Sequence, residues 1–236
     1  MKRARLWSGT LALLVGLAWV GPATAGDPNG DFMVRVLGAV VNPDTNVNSL
    51  TLNGGAVDGA DADVDTEVIP AATLTYFFNK NLAVELFCCF ANIGIEGKGA
   101  LSGLGKLGTS WIFPPVVTLQ YHFDDMGGFK PYVGAGVQYI HFFDENSNLG
   151  GSLDIDNAFG FALQAGVDVS LGDGWYLNAD VKKIWLDTEV TWTDTDLGGA
   201  TVRADVDIDP WIISAGIGYR FNLADLLGGG SAPSLK

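Results

Sequence analysis

Six ionisable residues sit inside runs that otherwise read as β-strands: Arg35, Glu85, Asp168, Asp180, Lys182 and Arg220. Alternate side chains of a strand point to opposite faces, and all six fall on the parity opposite an almost unbroken apolar set. Charges of both signs on one enclosed face must pair or stay hydrated. The six therefore read as an ion-paired plug, or more simply as polar filler that rigidifies a closed interior. Other chemistry finds less footing. His122 and His141 lie on opposite parities and at opposite heights, so no Ser-His-Asp grouping assembles around either. The alternating acids Asp61, Asp63 and Asp65, and Asp205, Asp207 and Asp209, resemble the opening of a calcium loop but lack the glycine required at its sixth position. Cys88 and Cys89 are neighbours in a strand-like run, which turns their thiols apart and makes them small apolar fillers. Neither an enzyme, a metal site nor a cofactor is expected.

The same inward parity changes character along its length. Away from the charges it carries Val41, Ile69, Val116, Ile140, Phe142, Ile184 and Ile212. Water-filled pores are lined with polar groups, so a greasy upper half signals a different cargo. Glycines at positions 134, 136, 160, 166, 216 and 218 remove volume from this face or serve the curvature of the strands. Pro70, Pro114 and Pro115 stand at the outer ends of the two strands flanking Leu82–Ile93. Having no N–H, they predict a lateral opening in the ladder there, although prolines also simply begin and end strands.

Eight strands are needed to hold these residues, and eight can be read: Asp31–Val41, Glu67–Phe78, Leu82–Ile93, Trp111–Phe123, Lys130–Phe143, Asn157–Leu171, Trp175–Thr188 and Asp205–Phe221. Short turns alternate with long connections at 42–66, 94–110, 144–156 and 189–204, the asymmetry of an eight-stranded antiparallel transmembrane β-barrel with short periplasmic turns and long extracellular loops. Aromatics on the outward parity fall into two rings. One holds Phe32, Tyr76, Phe78, Tyr121, Phe123, Trp175, Tyr219 and Phe221; the other holds Phe90, Trp111, Tyr139, Phe159, Trp185 and Trp211. Rings at the two water interfaces of a bilayer account for both. Lys183 alone breaks the outward parity, and either snorkels or marks a bulge.

The ends and the charge agree with export. Lys2, Arg3 and Arg5, the apolar run Leu11–Val20 and Ala23-Thr24-Ala25 form a signal peptide over residues 1–25. The barrel then spans 26–221, and 222–236, with Gly228-Gly229-Gly230-Ser231, reads as a flexible tail. Removing three basic residues leaves 10 Lys+Arg against 27 Asp+Glu, a net charge of −17, which excludes nucleic acid as a partner. Yet 48% of the residues are hydrophobic, which suits alternation against lipid better than a soluble polyanion.

With the strands in place a resemblance becomes visible. Thr75-Tyr76-Phe77-Phe78, Val84-Glu85-Leu86, Pro114-Pro115 with Leu119–Phe123, and Pro131–Val137 (PYVGAGV) are similar to the OmpW family of outer-membrane proteins. So are Gln164–Asp168, Trp175–Val181 and Ile208–Trp211 with Gly218–Phe221, all in the family's order. The resemblance implies a Gram-negative outer-membrane barrel with a largely hydrophobic lumen, and passage of small hydrophobic compounds, alkanes or aromatic hydrocarbons among them. Residues 222–236 depart from it, since such barrels usually end on the last aromatic. An apolar solute that enters from outside and meets a polar plug leaves most favourably sideways into lipid, by about 0.8 kcal/mol per buried CH₂. The expected partners are small hydrophobic solutes, membrane lipid and lipopolysaccharide, and the outer-membrane assembly machinery. The rival expectation is a non-conducting barrel that acts through its acidic outer loops.

Overall fold

The computed structural model describes residues 30–223; the leader expected over 1–25 and most of the expected tail lie outside them. Sixteen strands follow one another: β1 (Phe32–Asn42), β2 (Asn46–Leu52), β3 (Gly55–Ala56), β4 (Ala60–Val64), β5 (Glu67–Phe77), β6 (Leu82–Cys89), β7 (Ala91–Gly99) and β8 (Lys106–Phe113). Then come β9 (Val116–His122), β10 (Phe129–Ser147), β11 (Ser152–Ile155), β12 (Ala158–Gly172), β13 (Trp175–Trp185), β14 (Asp187–Thr193), β15 (Val202–Asp207) and β16 (Trp211–Phe221).

Eight of them, in the order β12-β13-β16-β1-β5-β6-β9-β10, close on themselves through the β10–β12 pairing. Each pairing is antiparallel, from Phe32↔Phe221 at the start of the barrel to Ile140↔Ala158. Burial alternates strictly, as in β1, where Met33, Arg35, Leu37 and Ala39 are enclosed and Val34, Val36 and Val40 are not. The usual polarity is inverted: Arg35 is 0% exposed and Val36 is 63% exposed. Such an outer surface is stable only against lipid.

The aromatic rings gather at both rims. Phe32 lies 5.0 Å from Tyr76 and Trp175 4.9 Å from Tyr219 at one, and Tyr139 lies 4.8 Å from Phe159 at the other. Lys183 does face outward, because the β12–β13 register runs without a shift from Phe161↔Trp185 to Ser170↔Tyr176. Its ammonium reaches upward, donating to the Asp209 carbonyl at 2.6 Å and lying 5.2 Å from the centre of the Trp211 ring.

The three tight turns are built as their residues require. Asn79 accepts from the N–H groups of Asn81 and Leu82, both at 2.9 Å, an Asx turn. Gly172, Asp173 and Gly174 all adopt positive φ, which favours glycine and tolerates aspartate.

The long connections are a correction to the expected loops. All eight expected strands are continued past the outer aromatic ring by paired segments. β10 extends to Ser147 and pairs with β8, β8 pairs with β7, and β7 with β4. A second sheet, β11-β14-β15-β2-β3, stands beside it. The alternation in these segments buries Leu50, Val190, Val202, Ala204 and Val206, which continue the apolar core of the barrel outward. Expected strands are broken where they leave the membrane, at Phe90, at Pro114-Pro115, at Leu186 and at Ile208–Pro210.

Candidate functional site: an apolar chamber over an ion-paired floor

Five of the six inward charges meet in one network. Arg35 grips Asp168 with two parallel bonds, Nη2 to Oδ2 at 2.6 Å and Nε to Oδ1 at 3.1 Å, and reaches Glu85 Oε2 with Nη1 at 2.9 Å. Lys182 Nζ lies 2.5 Å from Asp180 Oδ1 and 3.4 Å from Glu85 Oε1. None of these side chains is more than a few per cent exposed. Neutral partners complete the coordination. Gln164 Nε2 donates to Glu85 at 2.9 Å and to Asp180 at 2.7 Å, while its Oε1 accepts from Thr118 at 2.7 Å. Tyr132 donates to Asp180 at 2.9 Å, and Asn178 donates to Asp168 at 2.9 Å. Paired carboxylates and cations with their remaining valences met are the condition under which buried charge is tolerated.

Arg220 stands one inward step lower, on the register Met33↔Arg220. Its Nε donates to the Gly30 carbonyl at 2.7 Å, and its guanidinium carbon lies 3.8 Å from the centre of the Phe77 ring. It joins Met33, Phe77, Ala83 and Tyr176 at the periplasmic end, beneath the network it was grouped with by sequence.

Glycine makes this density possible. A Cβ on Gly166 would lie 2.4 Å from the Tyr132 hydroxyl, so that glycine admits the phenol to the network. A Cβ on Gly136 or Gly216 would strike a carbonyl of the neighbouring strand at 1.9 or 2.0 Å, the sign of close backbone approach and not of lumen volume.

Above the floor the lumen opens into a narrow apolar chamber. Val41, Ile69, Ile140 and Ile212 line it, with Cys89 and Ile112. Val116 and Ile184, 1% and 0% exposed, are packed in the same core. Phe142 lines a second, smaller space that shares Val64, Ile93 and Ile208 with the first. Trp192, Leu107, Leu149 and Leu153 are buried farther out. The Trp192 indole donates to the Leu107 carbonyl at 3.3 Å, tying β14 to β8.

One wall of the chamber is incomplete. The β5–β6 ladder ends at Ala71↔Cys89, and pairing on that side resumes only at Val64↔Ile95, beyond a long 3.4 Å bond from Asp65 N to Gly94 O. Between them Glu67–Pro70 pair with β1 alone and Ala91–Ile93 with β8 alone. Asp65, Glu67 and Ile69 on one edge, and Cys89, Ala91 and Ile93 on the other, line the chamber.

The prolines explain the slit. Phe77 N donates to Asp31 O, beside β1, and Phe78 N donates to Leu82 O, on the β6 side. Alternation along β5 therefore turns the backbone of Pro70, which has no N–H, toward β6 and β7. Pro115 offers its carbonyl to Tyr139 N on β10 at 3.0 Å, so Pro114 faces β6 and β7 from the other flank. There the β6–β9 ladder stops at Phe87↔Val116 and the β7–β8 ladder begins at Ala91↔Ile112, with Phe90 stacked on Phe113 at 4.8 Å across the interruption.

Three buried residues of the floor, chamber and outer sheets escaped the sequence reading. Gln138 and Gln164 share parity with Ile140 and Ala162, a signal that placed them inward; Trp192 lay in an assumed loop. The histidines stay apart. His122 bonds Gln120 Oε1 at 2.9 Å, and His141 bonds Asn157 Oδ1 at 2.8 Å. Among the described residues no cluster of acids, histidines and cysteines is arranged to hold a metal.

Known proteins share this architecture. Residues 28–221 match the model of the OmpW family. The chain is 40% identical over 205 residues to the uncharacterized outer-membrane protein y4mB of Sinorhizobium fredii, covering 86% of each. It is 31% identical to the dibenzothiophene metabolism operon protein PahQ of Pseudomonas aeruginosa, covering 72% of this chain and 79% of PahQ. The crystal structure of the outer-membrane protein OprG from Pseudomonas aeruginosa superposes with a TM-score of 0.77 at 33% identity, over 84% of this chain and 98% of OprG. A closed barrel of lipid-facing staves, the match along nearly all of it and these relatives make the chain an outer-membrane protein of the OmpW family.

Proposed function

We propose that this protein is a passive channel for small hydrophobic molecules, which enter the apolar chamber and leave through the slit between β5 and β6–β7 into the outer leaflet of the membrane. The observation that carries this reading is the chamber itself: a narrow apolar space, floored by ion pairs and walled by a broken ladder. The floor disfavours straight descent, since an apolar solute would have to displace a saturated network of charge. Lateral exit needs no such displacement, and lipid rewards each CH₂ transferred from water. The name of PahQ, a protein of a dibenzothiophene metabolism operon, supports an apolar aromatic cargo among the solutes.

Uptake of an alkane and of a small aromatic is to be measured in cells with and without the protein. Faster uptake with it is the expected result, and equal rates across a panel of such solutes would refute transport. A cysteine pair placed across the slit, in a background with Cys88 and Cys89 replaced, should stop delivery on oxidation and restore it on reduction. A second reading, a non-conducting barrel, draws on the buried cap around Trp192; the same uptake assay separates the two.

A further inference from the structure

We infer that the chamber is built for apolar molecules carrying a hydroxyl group, such as phenols and fatty alcohols, and that Gln138 is the residue that recognises the hydroxyl. The inference rests on the chamber being a solute path. Gln138 lies on β10 opposite Val116 on one side and Gly160 on the other, and is 3% exposed. It lines the chamber beside Ile140, and its Oε1 is buried without a hydrogen-bond partner. Leaving a buried amide acceptor unmade costs stability, and an apolar side chain of similar size would avoid that cost.

The contrast with the floor sharpens the point. Gln164 and Gln120 are equally buried, yet Gln164 serves Glu85, Asp180 and Thr118, and Gln120 accepts from or donates to His122 and Gln164. Gln138 stands above them in an apolar wall. The two carboxylates that also line the chamber, Asp65 and Glu67, are exposed and half-buried at its slit edge, so Gln138 is the inner polar contact.

The chemistry of a carboxamide then selects the ligand. A hydroxyl donates to Oε1 and accepts from Nε2, which satisfies the group whichever way the amide is turned. A bare hydrocarbon leaves it unpaired. A charged head group would need a counter-charge, and Arg35 and Lys182 are already committed to the floor carboxylates.

The test uses the full chain and a matched pair of probes, 1-naphthol and naphthalene. In cells producing the wild-type protein, the uptake ratio of naphthol to naphthalene should exceed that of Gln138→Leu by about fivefold, the worth of one neutral hydrogen bond. An equal ratio in the two proteins would overturn the inference and leave the amide to bound water. If neither probe enters faster than in cells lacking the protein, the transport reading fails by itself. The side-chain amide resonances of ¹⁵N-labelled protein in lipid nanodiscs then decide the inference independently. One Gln pair, absent from Gln138→Leu, should shift on adding 1-naphthol and stay fixed with naphthalene; no naphthol-specific shift would sink it.

Discussion

Arg35 carries the floor of the lumen, because one guanidinium holds carboxylates from two distant strands, Glu85 and Asp168. Replacing it with leucine leaves both acids enclosed with one cation, Lys182, to serve them and Asp180. The expected loss is about 3–5 kcal/mol, measured as the urea unfolding free energy of the barrel in lipid vesicles. Lys80 and Asp124 make the instructive comparison. Their bridge at 3.2 Å joins two periplasmic turns with both side chains mostly exposed. Hydrogen bonds from Lys80 and Asn81, reinforced by the lysine's charge, hold the Asp124 carboxyl below the usual carboxylate range. A depressed folded-state pKa contributes stability above the unfolded pKa and loses it as pH falls through the folded one. Solvent screens so exposed a pair, so Lys80→Ala should leave the unfolding midpoint unchanged at neutral and acidic pH alike.

At the level of elements, the slit beside β6–β7 follows from backbone chemistry. Pro70 and Pro114 turn donorless backbone toward that strand from both flanks. Pro70→Val supplies the absent N–H and a side chain suited to a strand, which should extend the β5–β6 ladder past Ala71↔Cys89. Delivery of an apolar solute should then fall several-fold while the folded barrel is as stable as before or more so. Unchanged delivery in a demonstrably longer ladder would locate the exit elsewhere. The outer sheets admit a second test. Trp192 is 3% exposed and ties β14 to β8, so Trp192→Ala should loosen the cap and speed entry from outside. Slower entry would show that the indole guides the solute instead of blocking it.

Viewed whole, the molecule is an inversion of a soluble domain, with saturated charge at its centre and Val, Leu, Ile and aromatic side chains on its outer face. Closure removes the free edges of the sheet everywhere but at the slit, which is why a barrel survives where lipid offers no hydrogen bonds. Such closed sheets resist detergent, so unheated protein should migrate on a gel as a compact band distinct from the boiled one. Identical mobility would contradict a closed barrel.

Much of this was legible in the amino-acid sequence, because lipid on one side and an enclosed lumen on the other force strict alternation. Parity alone placed Arg35, Glu85, Asp168, Asp180 and Lys182 inside, and the aromatics at both rims. It could not separate the height of Arg220 from theirs, since height depends on register between strands remote in the chain. Nor could it tell strand from loop in the outer segments, where short acidic runs such as Asp61–Asp65 gain their pairing only from partners far along the chain. The empty chamber, the unmatched amide of Gln138 and the direction in which Pro70 and Pro114 turn their backbones belong to tertiary structure alone. Each is a relation between strands, set by how the barrel closes, and no single stretch of sequence contains it.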